Sequence, residues 1–170
     1  MPDQQKLRVA PLSPPFRVVL VEPEIPPNTG SVARTCAGTC SSLHLVGKLG
    51  FRIDEQAVRR AGLDYWHLVD LHRHETLDEF QGLHANARMH LFSADAKRSY
   101  TDADFRPGDA LVFGKESVGL PRELLAQHED RVWGIPMSGD VRSFNLSNAV
   151  SIVLFEAIRK NGGLDRAFVA

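Results

Sequence analysis

Three short stretches of this 170-residue sequence place glycine, hydroxyl, amide and charged side chains where a polar or anionic ligand could be held: EPEIPPNTGSVART (22–35), FGKESVGLP (113–121) and MSGDVRSFNLSN (137–148). In the first, helical spacing sets Gly30, Ser31 and Gly38 around Arg34, so its guanidinium is flanked by side chains too small to block a bulky partner. An arginine fork is permanently charged and grips phosphate with two parallel hydrogen bonds. Spacing alone is equally consistent with an ordinary surface arginine. In the second, Gly114 and Gly119 let backbone come close to a ligand, Pro121 starts a helix, and Glu116 can brace the loop by accepting amides. The third has more capping residues than its helix needs. One N-cap suffices, yet Ser143, Asn145, Ser147 and Asn148 are all present, and the surplus can serve a bound polar or anionic group.

Competing chemistries fail on residue counts. No G-x-G-x-x-G follows an expected strand, so the dinucleotide fingerprint is absent. GDALVFGKES looks like a phosphate-binding loop, but five residues separate Gly108 from Gly114 where that motif has four. Glu116 also stands where a Ser or Thr should hold magnesium, and a carboxylate there would repel phosphate. No Ser, Cys or Thr lies in a nucleophile elbow. Cys36 and Cys40 fall one turn apart on an expected helix face and read as buried free thiols. His72 and His74 form an H-x-H in a polar stretch without further ligands at zinc spacing; they read as a solvated loop, and no metal is expected. A net charge of −1 gives no global argument for nucleic acid, so any such contact must be local, with Arg59–Arg60, Lys97–Arg98 and Arg159–Lys160 as candidate spots.

The elements that would carry these loops alternate strand and helix. RVVLVEP (17–23), LHLV (43–46), a short stretch near 66–69, MHLFSA (89–94), ALVFG (110–114) and RVWGIP (131–136) read as strands. Helices are expected after Pro26–Pro27–Asn28, near 54–62, over 75–84, from Pro121 and at the C-terminal end. This pattern predicts an α/β fold: a mainly parallel sheet with helices on both faces and ligands beyond the carboxyl ends of its strands. Residues 16–170 are expected to form a single domain, and Pro-rich residues 1–15 a mobile extension. No apolar run is long enough to span a bilayer and no leader pattern opens the chain, which predicts a cytoplasmic protein with no membrane association. The last helix carries Ala149, Val150, Ile152, Val153, Leu154, Phe155, Ala157 and Ile158 nearly all the way round. It must be buried on more than one side, either by a second subunit in a homodimer or by the protein's own loops.

Asn28-Thr29-Gly30 with Arg34, Gly114-x-Glu116-x-x-Gly119-Leu120-Pro121, and Arg142-Ser143-x-Asn145-Leu146-Ser147 resemble, in order and spacing, the three motifs of the SPOUT superfamily of RNA methyltransferases. The resemblance covers residues 16–160, and EPEIPPNTG and RRAGLDYW look most like the minimal tRNA (cytidine/uridine-2′-O)-methyltransferases of the TrmL type. It implies a C-terminal trefoil knot, against the general rarity of knots, and a homodimer. It also implies an S-adenosylmethionine pocket lined by Ala94, Gly114, Glu116, Gly119, Ile135, Met137, Ser143 and Leu146. The implied reaction is methyl transfer to a ribose 2′-hydroxyl of tRNA at the wobble nucleotide. Arg34 would hold the neighbouring phosphate and stabilise the developing alkoxide, Asn28 would orient, and Ser143 or Asn145 would add hydrogen bonds. Departures are Phe155, where close relatives often carry Tyr, and Lys115 and Val118 at variable places. The lack of positive net charge keeps a second reading open, an RNA-binding protein that retains the fold without turnover, and a third is a 2′-O-methyltransferase acting on another tRNA position or on rRNA.

Overall fold

The computed structural model describes residues 7–53 and 64–165. Six parallel strands form one sheet: β1 (Arg17–Val21), β2 (Ser42–Val46), β3 (Asp70–His74), β4 (Met89–Phe92), β5 (Ala110–Phe113) and β6 (Val132–Trp133), in the order β3-β2-β1-β5-β4-β6. Parallel strands need crossovers, and α1 (Pro26–Gly38), α2 (Leu77–Leu83) and α3 (Arg122–Gln127) each lie between one strand and the next, while α4 (Leu146–Lys160) follows the last strand. The alternation of strand side chains divides the core in two. Val18, Leu20, Leu43, Leu45, Leu111 and Phe113 pack with Val32, Ala33 and Cys36 of α1 and with Val150, Val153 and Leu154 of α4. Val19, Val46, Leu91 and Val112 face the other way, toward Phe80 of α2 and partly buried Leu124 and Leu125 of α3. Strand order reverses between β1 and β5, so the loops leaving these two neighbours face one another at the carboxyl edge, where open α/β sheets bind ligands.

Several expectations shift. The strand anticipated near 66–69 is Asp70–His74, and Trp66–Leu68 form a single 3-10 turn ahead of it. β3 pairs only with β2, and an edge strand tolerates the polar DLHRH sequence that hid it. His72 and His74 therefore lie on a strand and not in a solvated loop, and His74 is only 7% exposed. Cys36 is buried, its thiol pushed up to about 12 by burial, whereas Cys40 lies beyond the end of α1 and is exposed. Residues 7–15 lie against the folded body, where a mobile extension through residue 15 was expected: Val9 and Leu12 pack on the core, and the Ala10 amide donates to Gly163 O at 3.0 Å. The helix anticipated near 54–62, and with it Arg59 and Arg60, falls outside the described residues.

A buried polar network ties β4, β5 and β6 together below the site. Asp109, 3% exposed, accepts from His90 Nε2 (2.9 Å), Arg88 Nη2 (2.6 Å) and the Arg106 amide (2.8 Å). Trp133 Nε1 donates to His90 Nδ1 at 3.1 Å, which leaves His90 Nε2 as the protonated nitrogen facing Asp109. Burial raises the Asp109 carboxyl, but these donors outweigh it and hold the group below the usual carboxylate range. A carboxyl depressed on folding stabilises above its unfolded value and loses that contribution as pH falls through the folded value. Asp109→Asn is therefore expected to lower stability at pH 7 by about 2 kcal/mol in urea melts. The variant should also lose less of its remaining stability than the wild type between neutral and acid pH.

Candidate active site

The carboxyl edge of β1 and β5 is closed by a reciprocal clasp. The Glu116 carboxylate, from the loop after β5, accepts the Glu24 amide at Oε2 (2.8 Å) and the Ile25 amide at Oε1 (3.1 Å), and Asn28 Nδ2 donates to Oε1 at 3.2 Å. In return the Glu24 carboxylate accepts the amide and hydroxyl of Ser117 at 3.0 and 2.9 Å, and Lys115 Nζ pairs with Glu22 Oε2 at 2.9 Å. The need for this follows from sequence. α1 opens with Pro26–Pro27, which have no N–H, and its N-cap Ile25 has no capping side chain, so the amides just before it need an acceptor from elsewhere. Burial raises the Glu116 carboxyl, but the amide donors win and hold it below its ordinary value, as a charged acceptor.

The third loop joins through Asn28. Its Oδ1 accepts from Asn145 Nδ2 at 3.0 Å, so one buried asparagine bridges Glu116 and Asn145. Asn145 is also the N-cap of α4: its Oδ1 accepts the amide and hydroxyl of Ser147 at 2.9 and 2.6 Å. The surplus of capping residues is thus partly used within the protein, to cap α4 and to anchor it to α1. Ser143 is exposed and makes no side-chain hydrogen bond among the described residues, which leaves its hydroxyl for a ligand.

The remaining predicted residues, Arg34 apart, lie in the loops that follow β4, β5 and β6 and at the start of α4. Gly114 and Gly119 belong to the loop after β5; a Cβ at Gly114 would lie 2.1 Å from the Gly119 carbonyl carbon, so only glycine permits the fold-back, and Gly119 takes φ +72°. Ile135 and Met137 follow β6 half-buried, and Leu146 is the buried first residue of α4. Ala94 is exposed just beyond β4, in a loop held to β6 by the Ser93 amide on Trp133 O at 3.0 Å. Glu116 does not offer a free oxygen to a ligand, since both of its oxygens are engaged; it sets the loop that would.

Arg34 lies six residues along α1 from Asn28, about 9 Å along the helix axis. It is exposed and takes part in no ion pair among the described residues. Its guanidinium lies over the Tyr65 ring, 5.3 Å from the centroid, and Tyr65 Oη donates to Gly30 O at 2.9 Å. Tyr65 thus docks on α1 one turn below Arg34 and gives the cation an aromatic platform. Arg34, Tyr65, Gly38 and Leu68, with Leu7–Val9 from the N-terminal stretch, line an open cleft of about 430 Å³. Residue types and spacing did not assign a role to Tyr65; the only signal was its presence in the DYW string.

Comparison with known proteins gives the family. The family model described as the SpoU rRNA Methylase family matches residues 15–155. A protein of Burkholderia cenocepacia named tRNA (cytidine(34)-2′-O)-methyltransferase is 48% identical over 151 residues, 86% of this chain and 96% of the relative. A solved structure described as giving structural insights into the 2-OH methylation of C/U34 on tRNA superposes with a TM-score of 0.81 at 46% identity, covering 87% of this chain and 97% of that one. An AdoMet-bound rRNA methyltransferase from Sinorhizobium meliloti is 29% identical with a TM-score of 0.73, over 90% of this chain and 61% of that one. With the family model matching residues 15–155 and the Burkholderia cenocepacia relative matched at 48% identity over 96% of its length, the chain belongs to the SpoU methylase family.

Proposed function

We propose that the protein transfers a methyl group from S-adenosylmethionine to the ribose 2′-oxygen of the wobble cytidine or uridine of a tRNA, position 34 in the relatives' names. The observation that carries this reading is Arg34, a cation held at an open cleft by Tyr65 with no carboxylate partner among the described residues. The donor set suits S-adenosylmethionine: turns at 114–119 and 135–143 present backbone groups, half-buried Ile135 and Met137 with buried Leu146 give an apolar wall, and Ser143 has a free hydroxyl. When bound, S-adenosylmethionine supplies a methyl group on a cationic sulfur, already activated for displacement.

The protein's own task is to make a weakly acidic sugar hydroxyl react. Arg34 holds the phosphate beside the target ribose and favours negative charge on the 2′-oxygen as it attacks, the hydroxyl proton passing to solvent at the open cleft and the sulfur leaving as a neutral thioether. A guanidinium is a permanent cation in proteins, so Arg34 does not serve as the base. Asn28 does not orient substrate directly, because both ends of its amide are committed to Glu116 and Asn145; it holds the loops in register. Ser143 adds a hydrogen bond within the donor pocket.

The same reading gives a trefoil knot in the chain after Gly114. It gives a homodimer, supported by Ala149, Ile152 and Phe155, a stripe of α4 not fully covered by the chain, with Phe155 44% exposed. It also gives a cytoplasmic location, where the tRNA is. Among the described residues, no helix is long and apolar enough to cross a membrane.

Incubating the protein with labelled donor and bulk tRNA, then digesting to nucleosides, is expected to yield 2′-O-methylated cytidine or uridine mapping to position 34. Label on a base, or none, contradicts the reading. Arg34→Ala should lower kcat by at least about a hundredfold with donor affinity, read by calorimetry, nearly unchanged. Tyr65→Ala is expected to lower kcat roughly fivefold by loosening Arg34, again without affecting donor binding. Glu116→Gln should do the reverse, weakening donor binding about tenfold because an NH₂ then meets an amide of the 24–25 turn.

A further inference from the structure

The sheet face opposite α1 and α4 carries a cluster that methyl transfer does not use. His44 lies on β2, His74 on β3, and His84 ends α2, which crosses over both strands. Each offers a ring nitrogen within 4.8 Å of those of the other two. His44 Nδ1 and His74 Nε2 are 2.9 Å apart and share one hydrogen bond, and Ser42 Oγ lies 3.0 Å from His44 Nε2. The second nitrogen of His74, Nδ1, is buried with no hydrogen-bond partner among the described residues. Phe80 packs edge-on against His44 and His74, at 5.0 and 5.4 Å between centroids, and walls the cluster on the helix side. His84 is the partly exposed member and opens the cluster to solvent.

We propose that His44, His74 and His84 bind one divalent first-row transition-metal ion of the zinc class, clasping the β3 edge of the sheet to the end of α2. Three imidazoles without thiolates or a built cage of carboxylates suit zinc, cobalt or nickel and not calcium or magnesium. Bonds of about 2.0–2.1 Å in a tetrahedron set neighbouring nitrogens about 3.3–3.4 Å apart. The His44–His74 pair need open by only about half an ångström from its present 2.9 Å, and His84, partly exposed at a helix end, can swing in to complete the set. The hydrogen-bonded proton has somewhere to go. If His74 carries it, the ring shifts it to the unpartnered Nδ1; if His44 carries it, to Nε2, where Ser42 Oγ accepts. Either way two lone pairs turn to the ion and no proton leaves the rings. Burial lowers the pKa of all three rings, which keeps them in the neutral form a metal needs. Of the charged groups acting on them, Arg17 opposes an incoming cation and Glu79 favours it. His72, stacked on His44 at 4.7 Å and bonded to Asp70 at 2.8 Å, supports the ring from the strand edge.

The test is a titration of the untagged, chelator-treated full-length protein with Co²⁺, followed by displacement with Zn²⁺. One equivalent should bind with the ligand-field bands of tetrahedral cobalt, and Zn²⁺ should abolish them and raise Tm. His84→Ala, at a partly exposed helix end, should weaken binding by at least about a hundredfold while methyl transfer is unchanged. Cys40→Ser, which removes the exposed thiol, should leave binding as it was. Absence of stoichiometric binding by the wild type overturns the proposal whatever the variants do. So does binding that survives in His84→Ala or is lost in Cys40→Ser.

Discussion

One carboxylate organises the carboxyl edge of this sheet. Glu116 reaches from the loop after β5 to the turn after β1, 92 residues earlier in the chain, and accepts the two amides that precede a helix opened by consecutive prolines. Those prolines make the distant acceptor necessary, because they deny the turn the local capping that most helices use. Because Asn28 is bonded to the same carboxylate and also to Asn145, the start of α1, the loop after β5 and the cap of α4 form one connected unit. Removing any member leaves its neighbours with unmet polar groups, which is how a network of modest hydrogen bonds becomes a rigid frame.

The frame divides the labour at the site. Glu116, Asn28 and Asn145 are fully occupied in shaping loops, so they contribute to chemistry only through what they position. Arg34 is the opposite case: two turns further along α1, it is exposed and touches an aromatic face rather than a carboxylate. A guanidinium on an aromatic platform keeps its full charge and its hydrogen-bonding edge for a phosphate. The separation explains why substitutions in the frame and at Arg34 should alter different kinetic quantities.

Much of this was legible in the sequence because local rules carried it. Apolar runs such as RVVLV and ALVF gave central strands, Pro121 a helix start, and motif spacing the three loops that meet at one edge. Glu116 as a brace was readable from its place between two loop glycines. What could not be read depends on pairs distant in sequence. The Asn28–Asn145 bond spans 117 residues and turned an expected substrate ligand into a bracket. β3 was misplaced because a polar edge strand has no apolar run to mark it, and with it went the burial of His74 against His44, 30 residues away. Val9 and Leu12 anchor a stretch whose prolines had suggested a free tail.

If the frame acts as a unit, its members must be energetically coupled. A double-mutant cycle on S-adenosylmethionine affinity, with Glu116→Gln, Asn145→Ala and the pair, measures this directly, because Asn28 hydrogen-bonds to both residues. The predicted result is that the double variant binds no worse than the weaker single one, a coupling of at least about 1 kcal/mol. Two effects that simply add would contradict it and reduce the clasp and the helix cap to independent features.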